Sequence, residues 1–256
     1  MLTGPQISAD IVTVTMTDEA DRNLRNHWTE TRQRIASVAT QWGRLCDSVG
    51  LVAISKGHPA AAIRALAALG QRDFGENYLQ EALPKLQELQ DLKLTWHFTG
   101  QLQGNKTRAV AEAFDWVHGV DRLRIARRLS DQRPFHASPL NVCLQVNVGG
   151  ESTKGGVTPA ELPELAQAVA RLPRIALRGL MCIPPPEVDL ARQRHWFAET
   201  ARLLRTLQVP GVTRDTLSMG MSDSLEAAIE EGATIVRIGT ALFGPRAESL
   251  PDSGLS

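Results

Sequence analysis

Cysteine, tyrosine and lysine are scarce in this chain of 256 residues, which holds three, one and five of them. The cysteines, Cys46, Cys143 and Cys182, are odd in number, scattered and without CxxC spacing, which argues against a disulfide framework and against a zinc site. A reducing cytosol suits them. Net charge is missing as well: 28 basic and 28 acidic side chains cancel, so no global field gathers nucleic acid or anionic membrane. No basic leader followed by a long apolar run stands at the start, and no apolar stretch reaches the ~20 residues of a bilayer crossing. The expectation is a soluble, unexported, cytoplasmic protein with no nucleic-acid or membrane partner.

What is present is a large hydrophobic fraction, 43%, enough to bury the core of one α/β barrel in a chain of this length. From Asp18, the apolar residues Leu24, Trp28, Ile35, Val38, Trp42, Leu45 and Val49 recur at helical spacing behind an acidic start, predicting one long amphipathic helix. Short apolar strands then alternate with helices. Strands are expected at 51–55, 72–75, 94–99, 115–120, 140–148, 175–183, 216–219 and 234–238, with helices at 59–69, 78–89, 106–113, 121–130, 159–172, 190–207 and 223–231. Eight strands in this rhythm favour a parallel sheet closed into a single (β/α)8 TIM barrel with an extra N-terminal helix. Residues 1–17 read as an arm in which Ile11–Met16 alternates like a strand, 18–246 as the barrel unit with its helix, and 247–256 as a frayed tail.

Barrel chemistry collects at the carboxyl ends of the strands, and phosphate commonly sits by the loops after strands seven and eight. Of the five lysines, Lys85 and Lys93 lie among glutamates and glutamines on an expected solvated face, whereas Lys56, Lys106 and Lys154 follow strands. Only Lys56 directly abuts its strand. A lysine there either snorkels from the rim or, if its amine is neutral often enough, attacks a carbonyl. The last strand ends in Arg237-Ile238-Gly239-Thr240, where a bare glycine backbone and a hydroxyl suit an anion. Ser222 precedes a helix for which Asp223 and Glu226 resemble a capping pair, adding a dipole contribution of roughly 0.3–1 kcal/mol. The nest is expected across the barrel mouth from Lys56. An amine facing a phosphate nest suits an aldehyde that carries a phosphate, and pyridoxal 5′-phosphate is the commonest cofactor of that description.

Six segments strengthen this reading: Ile54-Ser55-Lys56, Phe74-Gly75-Glu76-Asn77-Tyr78, Trp96-His97-Phe98-Thr99-Gly100, Gly179-Leu180-Met181-Cys182, Ser218-Met219-Gly220-Met221-Ser222 and Val236-Arg237-Ile238-Gly239-Thr240. Together and in this order, from about Leu51 to Arg246, they resemble the pyridoxal phosphate homeostasis protein family. The resemblance implies a barrel like the N-terminal domain of alanine racemase, with pyridoxal 5′-phosphate held as an internal aldimine on Lys56. It implies phosphate contacts at Ser222, Gly239 and Thr240, Arg237 near the pyridine nitrogen and Asn77 beside the ring. It further implies a non-catalytic carrier or buffer in intracellular vitamin B6 homeostasis, with pyridoxal phosphate-dependent apo-enzymes as recipients.

The main alternative is a pyridoxal phosphate-dependent racemase or decarboxylase, and a lysine-dependent aldolase acting on a sugar phosphate is a third reading. Racemisation needs a second acid/base opposite the first. The single tyrosine, Tyr78, is expected to pack at a helix start, so that second base is missing. His97 reads as a hydrogen-bonded core histidine rather than a catalyst, and Arg237 either meets the ring nitrogen or pairs with Glu226 or Glu230. The loop around Lys154 departs from the family at Thr153 and Gly155, which leaves Lys154 either a second aldehyde acceptor or part of a flexible loop. His58 stands where the family more often shows a small or basic residue. No metal site is expected.

Overall fold

The computed structural model describes residues 18–151 and 154–245. The expected arm at 1–17 with its strand-like Ile11–Met16, the departure at Thr153 and the tail at 247–256 lie outside the described residues. Eight parallel strands form a closed barrel in sequence order: β1 (Gly50–Ile54), β2 (Asp73–Glu76), β3 (Thr95–Phe98), β4 (Trp116–Val120), β5 (Leu140–Gln145), β6 (Ile175–Met181), β7 (Thr216–Ser218) and β8 (Ile235–Ile238). The helices are α1 (Asp18–Gln41), α2 (Ala60–Ala68), α3 (Leu79–Glu88), α4 (Thr107–Ala113), α5 (Leu123–Gln132), α6 (Leu162–Ala170), α7 (Leu190–Thr206), α8 (Leu225–Glu230) and α9 (Thr240–Phe243). A 3-10 turn at Gly104–Lys106 leads into α4.

Consecutive apolar positions are what a strand needs when helices cover one face and barrel side chains the other. In β5, Val142, Cys143 and Leu144 are all fully buried. Each buried aliphatic side chain of this size contributes about 1.5–3 kcal/mol relative to exposure. Two glycines let strands and loops approach more closely than any side chain would allow. A Cβ at Gly179 in β6 would lie 1.9 Å from the Thr216 carbonyl oxygen, and one at Gly100 would lie 2.1 Å from that of Asn77.

The N-terminal helix is shorter than its apolar period predicts. α1 buries Leu24, Ile35, Val38 and Ala39 and packs against α2, α8 and α9, on the side of the barrel where β1 meets β8. It stops at Gln41, and Gly43 takes a positive φ of 67°. Trp42 and Leu45, which continue the period on paper, are 47% and 76% exposed. The reversal at Gly43 turns the chain away before those side chains reach the barrel.

Candidate functional site

Lys56 follows β1 in a turn whose next residue, Gly57, has a φ of 75°. A buried polar cluster fixes the backbone of this turn. The Ser55 amide donates to the Gly75 carbonyl at 2.9 Å, and the Ser55 hydroxyl donates to Glu76 Oε1 at 2.7 Å. From α3, Lys85 Nζ donates to the Ser55 carbonyl at 2.8 Å, to Glu76 Oε1 at 2.8 Å and to Glu81 Oε1 at 2.5 Å. Glu81 also accepts from the Gly57 amide, so α3 holds the peptide on both sides of Lys56.

This corrects the expectation that Lys85 lies on a solvated face. Its side chain is buried, and Glu76 is wholly so. Burial raises the Glu76 carboxyl above its ordinary range, opposed by the Lys85 ammonium and the Ser55 hydroxyl. The polar neighbours of Lys85 in sequence hid its position, although the four-residue spacing of Glu81 and Lys85 was a readable signal for one helix face.

The residues expected to form an anion nest lie beside Lys56 rather than across the mouth. Barrel closure makes β8 the hydrogen-bonded neighbour of β1, with Ala53 opposite Ile238, so Gly239 comes level with Ile54. A Cβ at Gly239 would stand 3.3 Å from the Ile54 carbonyl oxygen, so a glycine lets the end of β8 close against β1. Thr240 follows, exposed, as the first residue of α9. Ser222 is half-buried in the turn after β7, and Gly220 at the start of that turn has a φ of 92° and no room for a Cβ beside Ala228.

The expected capping pair does not form. Ser224 occupies the cap position of α8, with its hydroxyl accepting from the Met221 amide at 3.2 Å, while Glu226 pairs with Arg34 of α1 at 2.5 Å. Arg34 wins because α1 and α8 pack side by side and the bidentate fork suits a carboxylate.

Arg237 points into the barrel. Its Nη1 donates to Ser218 Oγ at 2.8 Å and its Nη2 to the Cys182 carbonyl at 3.0 Å. Neither carboxylate weighed as its partner is used: Glu226 goes to Arg34 and Glu230 to Arg194 at 2.7 Å. Burial lowers the guanidinium pKa, yet an arginine remains a cation and a pure donor at ordinary pH. The nearby thiols offer no nucleophile, because burial pushes Cys143 up to about 12 and Cys182 up to about 11.

Asn77 follows β2, where its Oδ1 accepts from the Thr99 hydroxyl at 3.1 Å. Tyr78 stands at the start of α3 as expected, in the N-cap position, but with 61% of its surface exposed. Lys106, together with Asn77, Tyr78 and Gln101, lines a shallow cavity of about 450 Å³. Lys154 pairs with Glu151 at 2.8 Å and donates to the Pro184 carbonyl at 3.3 Å. His97 is buried against His118 and Asp73, as a core histidine should be.

The loops carrying Ser222, Gly239 with Thr240, Lys56 and Asn77 therefore follow β7, β8, β1 and β2, four consecutive strands of the closed barrel, and Arg237 stands below them. The donor set is an amine, a guanidinium, two hydroxyls, a carboxamide and bare glycine backbone. It fits a small molecule bearing both a carbonyl and a phosphate.

The chain is similar to several known proteins. The family described as "Alanine racemase, N-terminal domain" matches residues 32–247. A pyridoxal phosphate homeostasis protein of Pseudomonas aeruginosa is 60% identical over 220 residues, covering 86% of this chain and 94% of the relative. The chain belongs to the pyridoxal phosphate homeostasis protein family. A second member, from Escherichia coli, is 50% identical over 227 residues, covering 88% of this chain and 97% of its own. Among solved structures, PipY of Synechococcus elongatus without PLP superposes with a TM-score of 0.74 at 44% identity, covering 82% of this chain and 100% of its own. PipY with PLP bound gives 0.70 at 41% identity, with the same coverage of 82% and 100%. The alanine racemase of Corynebacterium glutamicum shares the fold, with a TM-score of 0.64 at 19% identity; the match covers 93% of this chain but 62% of the racemase.

Proposed function

We propose that this member of the family binds pyridoxal 5′-phosphate at the barrel mouth and serves intracellular vitamin B6 homeostasis as a cofactor carrier or buffer. The observation that carries the reading is the register of β1 on β8, which sets the lysine turn beside the Gly239-Thr240 nest. When bound, the cofactor supplies an aldehyde for an amine and a phosphate for a nest of donors. Lys56 provides the amine, and the Lys85–Glu76–Glu81 cluster keeps its backbone in place. Ser222, Gly239 and Thr240 receive the phosphate, and Asn77 stands at the ring side. Arg237 meets the ring nitrogen as a donor and leaves it without a proton, which makes a poor electron sink where many such enzymes use a carboxylate.

That electronic choice supports a carrier rather than a catalyst. So does the position of Tyr78, the single tyrosine, which is exposed at the start of α3. The reading extends to a cytoplasmic location and to apo-enzymes as recipients; among the described residues no helix is long and apolar enough to cross a membrane.

Incubation of the pure protein with pyridoxal phosphate, borohydride reduction and peptide mass spectrometry tests the site. The expected result is one reduced adduct, on the peptide containing Lys56. No reducible adduct there, or turnover of common amino acids far above that of free cofactor, would overturn the reading.

A further inference from the structure

A continuous line of hydrogen bonds crosses the barrel interior beneath the site. Arg237 Nη1 donates to Ser218 Oγ at 2.8 Å, Ser218 Oγ lies 2.7 Å from His118 Nδ1, His118 Nε2 lies 2.9 Å from His97 Nδ1, and His97 Nε2 lies 3.0 Å from Asp73 Oδ1. Ser218 and His118 stand on β7 and β4, which are not neighbours in the sheet, so this link spans the lumen. Arg237, Ser218, His118 and His97 are all buried, at 6%, 0%, 0% and 1% exposure. Asp73, the first residue of β2, opens at the opposite end of the barrel from Lys56, with 46% of its side chain exposed.

With both imidazoles neutral, the proton positions along this line are determined by its ends. The Asp73 carboxylate only accepts, so His97 carries its proton on Nε2 and offers Nδ1 as an acceptor. His118 must then donate from Nε2, leaving its own Nδ1 to accept the Ser218 hydroxyl proton. Ser218 in turn accepts from the guanidinium, which has nothing but donors. Every bond therefore runs the same way, from the cation to the carboxylate, and aligned bonds of this kind strengthen one another. A second proton on His97, at Nδ1, would force His118 to accept at Nε2 and carry its own proton on Nδ1, where it meets the Ser218 hydroxyl donor to donor.

We propose that Ser218, His118 and His97 are positioning residues, a one-direction chain that ties Arg237 to Asp73 and holds the guanidinium aimed at the cofactor site. The chain couples the open base of the barrel to its mouth, and Asp73 is the distant counter-charge of an arginine that touches no carboxylate among the described residues. Its effect on a bound cofactor rests on the proposed function; the chain itself does not.

The test begins with ligand-free protein labelled with nitrogen-15. Long-range proton–nitrogen correlation spectra at neutral pH are expected to show both His97 and His118 protonated on Nε2 alone. Asp73→Leu, a change at a half-exposed position, should mix the tautomers of His118, which Asp73 does not touch, and should shift the visible band of protein loaded with pyridoxal phosphate. Asp73→Asn retains an acceptor and should keep both tautomers. An Nδ1-protonated or doubly protonated His118 in the unmutated protein, or His118 signals that ignore Asp73→Leu, would sink the chain. A protein that takes up no pyridoxal phosphate while showing the expected tautomers would defeat the proposed function and leave the chain standing.

Discussion

Lys85 Nζ lies 2.8 Å from the carbonyl oxygen of Ser55, the residue before Lys56, so a second, buried lysine grips the peptide that presents the first. Removing one partner of a buried ion pair leaves the other charge uncompensated, at a cost of about 3–5 kcal/mol. Lys85→Met should therefore destabilise the protein by about that much. Adding Glu76→Gln to it should recover a good part, because the stranded carboxylate is then gone. Denaturant unfolding of the single and double variants measures both, and a single variant as stable as the parent would refute the clamp.

The contrast between these two lysines shows how far the sequence can be read. Lys56 was visible because it abuts an apolar strand, and the strand rhythm around it was enough to number the barrel. Lys85 was hidden because a helix position surrounded by Glu81, Gln87 and Glu88 looks solvated until a specific buried acid, Glu76, is placed beneath it. The same limit applies to the nest. Gly239 and Thr240 were expected as an anion site from their residue types, but their adjacency to Lys56 follows from closure of β8 on β1, which local pattern does not encode. Trp42 and Leu45 extended a helix on paper because periodicity records spacing and not where Gly43 turns the chain.

Gly179→Ala should abolish stable folding although it adds one methyl group. The new Cβ would sit 1.9 Å from the Thr216 carbonyl oxygen, and that neighbour is the backbone of a paired strand, which cannot rotate aside. Overpacking ordinarily costs about 1–3 kcal/mol where side chains can adjust, and here none can. Soluble expression and thermal melting of the variant provide the check; a normal melt would show that β6 and β7 can separate.

Lys56→Ala should eliminate the reducible adduct while the barrel still folds, since a half-buried rim side chain contributes little packing. The visible band after loading with pyridoxal phosphate and the denaturant midpoint are the two readings. Persistent colour would transfer the attachment to Lys106 or Lys154, and mass spectrometry after reduction would say which.

Acid sensitivity should carry the signature of His118. Burial first, then electrostatic repulsion involving His97 and Arg237, holds its pKa well below the ordinary 6.5. In the unfolded chain the ring takes up a proton as pH falls through that ordinary value, whereas in the folded barrel it stays neutral. Between the two pKa values the unfolded state binds more protons, so stability is fully present above pH 6.5 and is lost progressively below it. One differential proton corresponds to a slope of about 1.4 kcal/mol per pH unit. His118→Gln substitutes a group that does not titrate. Whatever it does to absolute stability, it should flatten the decline between pH 6.5 and the onset of carboxylate titration by up to one proton's worth. Unfolding free energies measured at closely spaced pH values give the slope directly. Parallel curves for the two proteins would mean that His118 takes up its proton as readily in the folded barrel as in the unfolded chain, and a barrel that has taken it up has lost the tautomers that link Arg237 to Asp73.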